Sequence, residues 1–65
     1  MKNRVKEFRD ANGFSQGKLG EALGVSRQTI NSLENGRYNP SIELAFKLAK
    51  VFETSIESIF IYEET

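Results

Sequence analysis

The chain has no cysteine and no histidine. Disulfide staples are therefore excluded, and zinc sites of the usual kind have no ligands from which to form. Acid–base and nucleophilic chemistry loses two of its commonest side chains, and the carboxylates show no pairing that helices would converge into a site. No catalytic residue, metal site, cofactor or small-molecule substrate is therefore expected. Long apolar runs are also missing. Nothing approaches the roughly 20 residues that span a bilayer, and the start MKNRVKEFRD lacks the apolar segment of a signal peptide, so no membrane association and a cytoplasmic location are expected. The 65 residues form one domain at most, residues 1–65, near the size at which a single core is only marginally stable. Oligomerisation is a natural supplement.

An excess of one charge is lacking too, since nine basic and nine acidic residues cancel. Nucleic-acid binders are usually basic, so the balance at first argues against such a partner. The distribution is uneven, however. Residues 1–40 carry Lys2, Arg4, Lys6, Arg9, Lys18, Arg27 and Arg37 against Glu7, Asp10, Glu21 and Glu34. Residues 41–65 carry only Lys47 and Lys50 against Glu43, Glu53, Glu57, Glu63 and Glu64. Such asymmetry is consistent with one face turned to phosphate and another turned away.

The most informative stretch is Ser15 to Gly36, SQGKLGEALGVSRQTINSLENG. Leu19 and Leu23 are four apart and fall on one stripe of a helix that must bury them. Gly24 ends that helix, because a chain leaving through positive φ meets steric resistance from any side chain. Ser26 is the N-cap of the next helix. Val25 and Ile30 then occupy the two positions of a hydrophobic staple, which fixes the angle of entry. Two short helices around one glycine turn, with a polar face on the second, have the geometry of a helix-turn-helix.

Around this unit, Val5 and Phe8 predict an amphipathic first helix from about Asn3 to Ala11, stopped by Asn12-Gly13. Phe14 follows as an apolar anchor, with Ser15 as N-cap of the second helix. Gly17 and Gly20 weaken that helix, each by about 1 kcal/mol relative to alanine. A close crossing of the second and third helices gives Gly20 a reason; Gly17 has none. The third helix runs from Arg27 to about Glu34 and ends at Asn35-Gly36. After the loop Arg37-Tyr38-Asn39-Pro40, Ser41 caps a fourth helix whose stripe is Leu44, Ala45, Leu48, Ala49 and Phe52. Thr54 and Glu57 match a capping box for a fifth helix, with Ile56, Ile59 and Phe60 as its apolar positions. The tail Ile59-Phe60-Ile61-Tyr62 is β-prone.

The order and spacing of Gln16, Leu19-Gly20, Leu23-Gly24-Val25, Ser26-Arg27-Gln28-Thr29-Ile30, Leu33-Glu34-Asn35-Gly36 and Asn39-Pro40-Ser41 closely resemble the Cro and phage-repressor type of helix-turn-helix protein, the XRE family. The match covers nearly the whole chain. It implies an all-α, compact five-helix, lambda-repressor-like domain, with a short terminal β-strand as in members whose termini form a small sheet. It also implies a bacterial, archaeal or phage origin and double-stranded DNA as partner, with the third helix in the major groove. The chain departs from the usual pattern at Gly17-Lys18 and in having Gly20 for alanine, which predicts a less rigid second helix.

Arg27, Gln28, Asn31 and Ser32 lie opposite Ile30 and Leu33. Solvation of a surface helix accounts for each of them singly. Within the motif they suit base edges, since arginine can donate twice to guanine and glutamine can pair with adenine. The resemblance carries Arg27, Gln28 and Ser32 onto positions that touch bases. Gln16, in the first turn of the second helix, is expected on a phosphate. Asn35, Gly36, Arg37 and Tyr38 are expected on the backbone across the groove, with Ser15 and Lys18 as further contacts. Tyr38 could equally pack over Pro40. Thr29 has two readings, a DNA contact or support for the cap. The resemblance places Arg9 and Glu34 together as a partly buried ion pair, and a carboxylate at a helix C-terminus needs such a cation.

These expectations describe a homodimeric, sequence-specific regulator, foremost a repressor on an inverted-repeat operator. Ile59, Phe60, Ile61 and Tyr62 are the expected dimer surface, although some of them must fill the core. An antitoxin-type partner of a toxin, or a purely protein-binding helical module, stays open at this point.

Overall fold

The computed structural model describes residues 1–63. In chain order these form strand β1 (Lys2–Asn3), helices α1 (Val5–Ala11), α2 (Gln16–Leu23), α3 (Arg27–Glu34), α4 (Ile42–Val51) and α5 (Ile56–Ile59), and strand β2 (Phe60–Ile61). The strands are antiparallel, with Lys2 opposite Ile61 and Asn3 opposite Phe60. The terminal sheet beside a five-helix body agrees with the fold expected from the sequence.

Serine opens every helix after α1. Ser15, Ser26, Ser41 and Ser55 have extended backbones, and each Oγ accepts the N–H three residues on, from Lys18, Thr29, Leu44 and Ser58. This satisfies one of the donors that a helix start leaves free. The last of these caps corrects the expected Thr54–Glu57 box. Thr54 is already committed to closing α4: its N–H donates to the Ala49 carbonyl at 2.9 Å, and the Glu53 N–H donates to Lys50 at 3.2 Å. The cap therefore falls one residue later.

The same closure recurs at four helix ends. Phe14, Val25, Arg37 and Thr54 donate back five residues, to Arg9, Gly20, Ser32 and Ala49, at 2.9–3.0 Å. In each case the preceding residue has positive φ: Gly13, Gly24, Gly36 and Glu53, at 74°, 75°, 74° and 53°. These are Schellman motifs, and at Glu53 alone the left-handed residue must carry a Cβ.

The start of α1 also differs from the expectation. Asn3 lies in β1, and its Oδ1 accepts the Val5 N–H at 3.1 Å while its Nδ2 donates to the Leu33 carbonyl at 2.7 Å. One side chain thereby joins the start of α1 to the last turn of α3.

Val5, Leu19, Leu23, Ile30, Leu33, Leu44, Leu48 and Ile59 are buried in one contiguous cluster. Phe52, just past α4, stacks on Phe8 with ring centroids 5.5 Å apart and meets Phe14 edge-on at 6.3 Å. Gly20 has the close neighbour expected of it, but the neighbour is the turn between the helices: a Cβ there would lie 2.7 Å from the Val25 carbonyl oxygen. Nothing in the structure explains Gly17, whose Cβ would meet only Ser15 Oγ at 4.0 Å.

Candidate nucleic-acid interface

α3 divides cleanly by face. Ile30 and Leu33 are buried, whereas Arg27, Gln28 and Asn31 are exposed and Ser32 is half-buried beside them. Arg27, Gln28, Asn31 and Ser32 line a shallow hollow whose far wall is Gln16 of α2. Gln28, Thr29 and Ser32 line a second hollow with Arg37 and Tyr38. The expected base readers thus form a central strip, flanked on each side by expected phosphate contacts. Among the described residues, the side chains of Arg27, Gln28, Ser32 and Arg37 make no hydrogen bond or ion pair within the chain. Their donors and acceptors face solvent unengaged.

Other expected site residues already have partners. Asn35 Nδ2 donates to Asn31 Oδ1 at 3.1 Å, one turn apart on α3 and its cap. Thr29 Oγ1 lies 3.0 Å from Ser26 Oγ, which also accepts the Thr29 N–H, so Thr29 supports the cap of α3. Ser15 Oγ serves as cap of α2. Lys18 Nζ is 3.5 Å from Glu21, both side chains well exposed. An ion pair of that kind is worth little and is readily exchanged for another anion.

Gln16 carries a contact that its sequence position did not suggest. Its Nε2 donates to Glu34 Oε1 at 3.0 Å, leaving one amide hydrogen free. Glu34 also takes Arg9 Nε at 2.6 Å, with 12% of the Arg9 side chain and 7% of Glu34 left exposed. Arg9 Nη1 donates in turn to the Phe14 carbonyl at 2.9 Å. The hydrogen bond that Arg9 donates to Glu34 raises the Arg9 pKa above the ordinary guanidinium value. The sequence signal that could have exposed the contact is the carboxylate itself, since Glu34 sits where the dipole of α3 is negative and needs more than one donor.

Charge is sorted by the same pairing. Glu7 lies against Arg4, Asp10 and Glu34 against Arg9, and Glu21 against Lys18. Among the described residues this leaves Arg27 on α3 and Arg37 just beyond it as uncompensated cations. A chain with zero net charge therefore still presents a positive strip where a polyanion would lie.

The tail divides between core and surface. Ile59 and Phe60 are buried in the core of the chain itself, because β2 must cover the end of the bundle. Only Ile61 and Tyr62 of the expected dimer residues stay at the surface.

A helix-turn-helix family model matches residues 5–59. The chain belongs to the XRE-type helix-turn-helix family. An uncharacterized HTH-type transcriptional regulator of Methanocaldococcus jannaschii is 53% identical over 64 residues, spanning 98% of this chain and 97% of that relative. The restriction-modification controller protein C.AhdI from Aeromonas hydrophila has a similar structure, with a TM-score of 0.78 at 32% identity over 88% of this chain and 86% of its own. SinR, a master regulator for biofilm formation solved in complex with DNA, gives 0.76 at 32% identity over 85% and 89%. Members of the XRE-type family are DNA-binding transcriptional regulators rather than enzymes. In this XRE-type chain α2 and α3 are the two helices of the motif. Among the described residues, no helix is long and apolar enough to cross a membrane.

Proposed function

We propose that this XRE-type chain is a homodimeric repressor that occupies an inverted-repeat operator, with α3 of each copy in a major groove. The observation that carries the proposal is the strip of unengaged donors and acceptors on α3. Arg27 and Gln28 read base edges, Ser32 and Asn31 extend the reading, and Gln16, Arg37 and Tyr38 hold the two flanking backbones. Ser15, Lys18, Thr29 and Asn35 lie beside those backbone contacts. One module of this size buries a limited surface on DNA, so two-fold repetition supplies the remaining affinity and specificity. Half-sites then lie about one helical turn apart. Repression follows from occupancy, in the cytoplasm where the operator is.

Selection of bound duplexes from random DNA tests this reading directly. The expected product is an inverted repeat, bound by two chains, with affinity that falls steeply as salt rises. Recovery of a single unpaired half-site bound by one chain would overturn the two-fold model, and salt-independent binding would overturn the phosphate contacts.

A further inference from the structure

α4 carries apolar residues on two faces. Leu44, Ala45, Leu48 and Ala49 face the core, whereas Ile42 is 72% and Phe46 is 61% exposed. Four residues apart, the two fall on one outer stripe. A hollow lined by Phe46, Lys50, Glu53 and Thr54 extends the stripe to the α4–α5 turn. Single apolar side chains at a surface need no account, but a phenylalanine and an isoleucine side by side next to a hollow call for one.

We propose that this stripe is the seat of a second copy of the chain, with the two α4 helices antiparallel across the two-fold axis. The proposal rests on the homodimer reading above and names its interface. The charges beside the stripe favour a copy of the same helix. Glu43 lies in the first turn of α4 and Lys50 in the last, and their spacing of seven puts them on the same flank. A two-fold axis between antiparallel helices keeps that flank on one side in both copies, so Glu43 of each meets Lys50 of the other. Parallel packing about a two-fold axis sends this flank to opposite sides of the pair, so neither charge meets its opposite. Lys50 has no ion pair among the described residues, and Glu43 has only its exposed neighbour Lys47 at 3.5 Å. The α3 residues that form the reading strip take no part in this face, so both strips stay open in the dimer. The tail offers less, with Ile59 and Phe60 already in the core.

Sedimentation equilibrium of the full chain is the test, with circular dichroism to show that each variant keeps its helices. Phe46→Glu is expected to raise the dimer dissociation constant about thirtyfold or more, the scale of a central aromatic anchor. Glu43→Lys and Lys50→Glu should each weaken the dimer, and the two together in one chain should restore it. A dimer indifferent to Phe46→Glu, or a swapped pair that fails to recover, overturns the antiparallel α4 interface. If Tyr62→Glu breaks that dimer instead, the interface proposal falls while the homodimer reading stands. A wild-type chain that stays monomeric at millimolar concentration overturns both.

Discussion

Gln16 Nε2 donates to Glu34 Oε1 at 3.0 Å, so the first turn of α2 is tied to the last turn of α3. At the opposite ends of these helices the Gly24 turn constrains their angle through its left-handed backbone. The two helices of the motif are thus fixed at both ends, once by a tight turn and once by a carboxylate. Arg9 reaches that carboxylate from α1 and also holds the Phe14 carbonyl at the entrance to α2. Glu34 accepts from both neighbouring helices, which offsets its unfavourable place at the negative end of α3.

Removing one member of this arrangement strands the other. Arg9→Ala is expected to cost about 3 kcal/mol, at the lower end of the range for breaking a buried pair, because part of the arginine still meets water. Urea denaturation measures the loss. The double variant Arg9→Met with Glu34→Leu should lose less than the two single changes together, since neither charge is then left uncompensated. Strict additivity would show that the contact contributes nothing as a pair.

On the proposed reading, the strip on α3 separates residues that read bases from residues that position the domain. Arg27→Ala and Gln28→Ala should each cost about 1–3 kcal/mol at the preferred site and relax the choice at particular base pairs. Arg37→Ala should weaken all sequences alike and lower the salt slope by about one. Binding titrations on the selected site and on single-base variants distinguish the two patterns. Unchanged preferences in the first two variants would refute their role as readers.

The glycines of α2 should respond differently to alanine. Both substitutions to alanine gain about 1 kcal/mol of helix propensity. Gly17→Ala keeps that gain, because its Cβ meets nothing nearer than Ser15 Oγ at 4.0 Å. Gly20→Ala drives a Cβ to 2.7 Å from the Val25 carbonyl, so the turn must shift and the gain is lost. Thermal melts of the two variants should show Gly17→Ala above wild type and Gly20→Ala below Gly17→Ala. Equal stabilisation would show that the turn yields freely.

Local chemistry made much of this fold legible in the sequence. Ser15, Ser26 and Ser41 cap helices because a hydroxyl just before an apolar period has one good partner, the N–H three residues on. Gly24 and Gly36 end helices for an equally local reason. The polar face of α3 follows from the periodicity of Ile30 and Leu33. The features that escaped depend on what packs against what. Thr54 lost its cap role to the closing of α4, and Asn3 found its second partner 30 residues away at Leu33. Ile59 and Phe60 look alike as a dimer surface or as core, and only the position of β2 against the bundle decides. The exposure of Ile42 and Phe46 likewise depends on which side of α4 the other helices occupy.

Among the four helix ends closed by a left-handed residue, Glu53 marks the one where that residue is not glycine, and it offers a test of strain. Its φ of 53° places a Cβ against the following backbone, at a cost of about 1–2 kcal/mol. Glu53→Gly removes that cost but adds freedom to the unfolded chain, which returns about 0.4–1 kcal/mol. A net gain of about 0.5–1 kcal/mol is therefore expected, raising Tm by roughly 2–8 °C for a domain of this size. Charge gives a competing account, because a carboxylate just past the end of α4 also opposes its dipole. Glu53→Gln separates the two, keeping the Cβ and removing the charge. Melts at low protein concentration, where association does not contribute, should show the glycine variant well above the glutamine variant. If glutamine gains as much as glycine, the effect comes from the carboxylate and the left-handed backbone costs little.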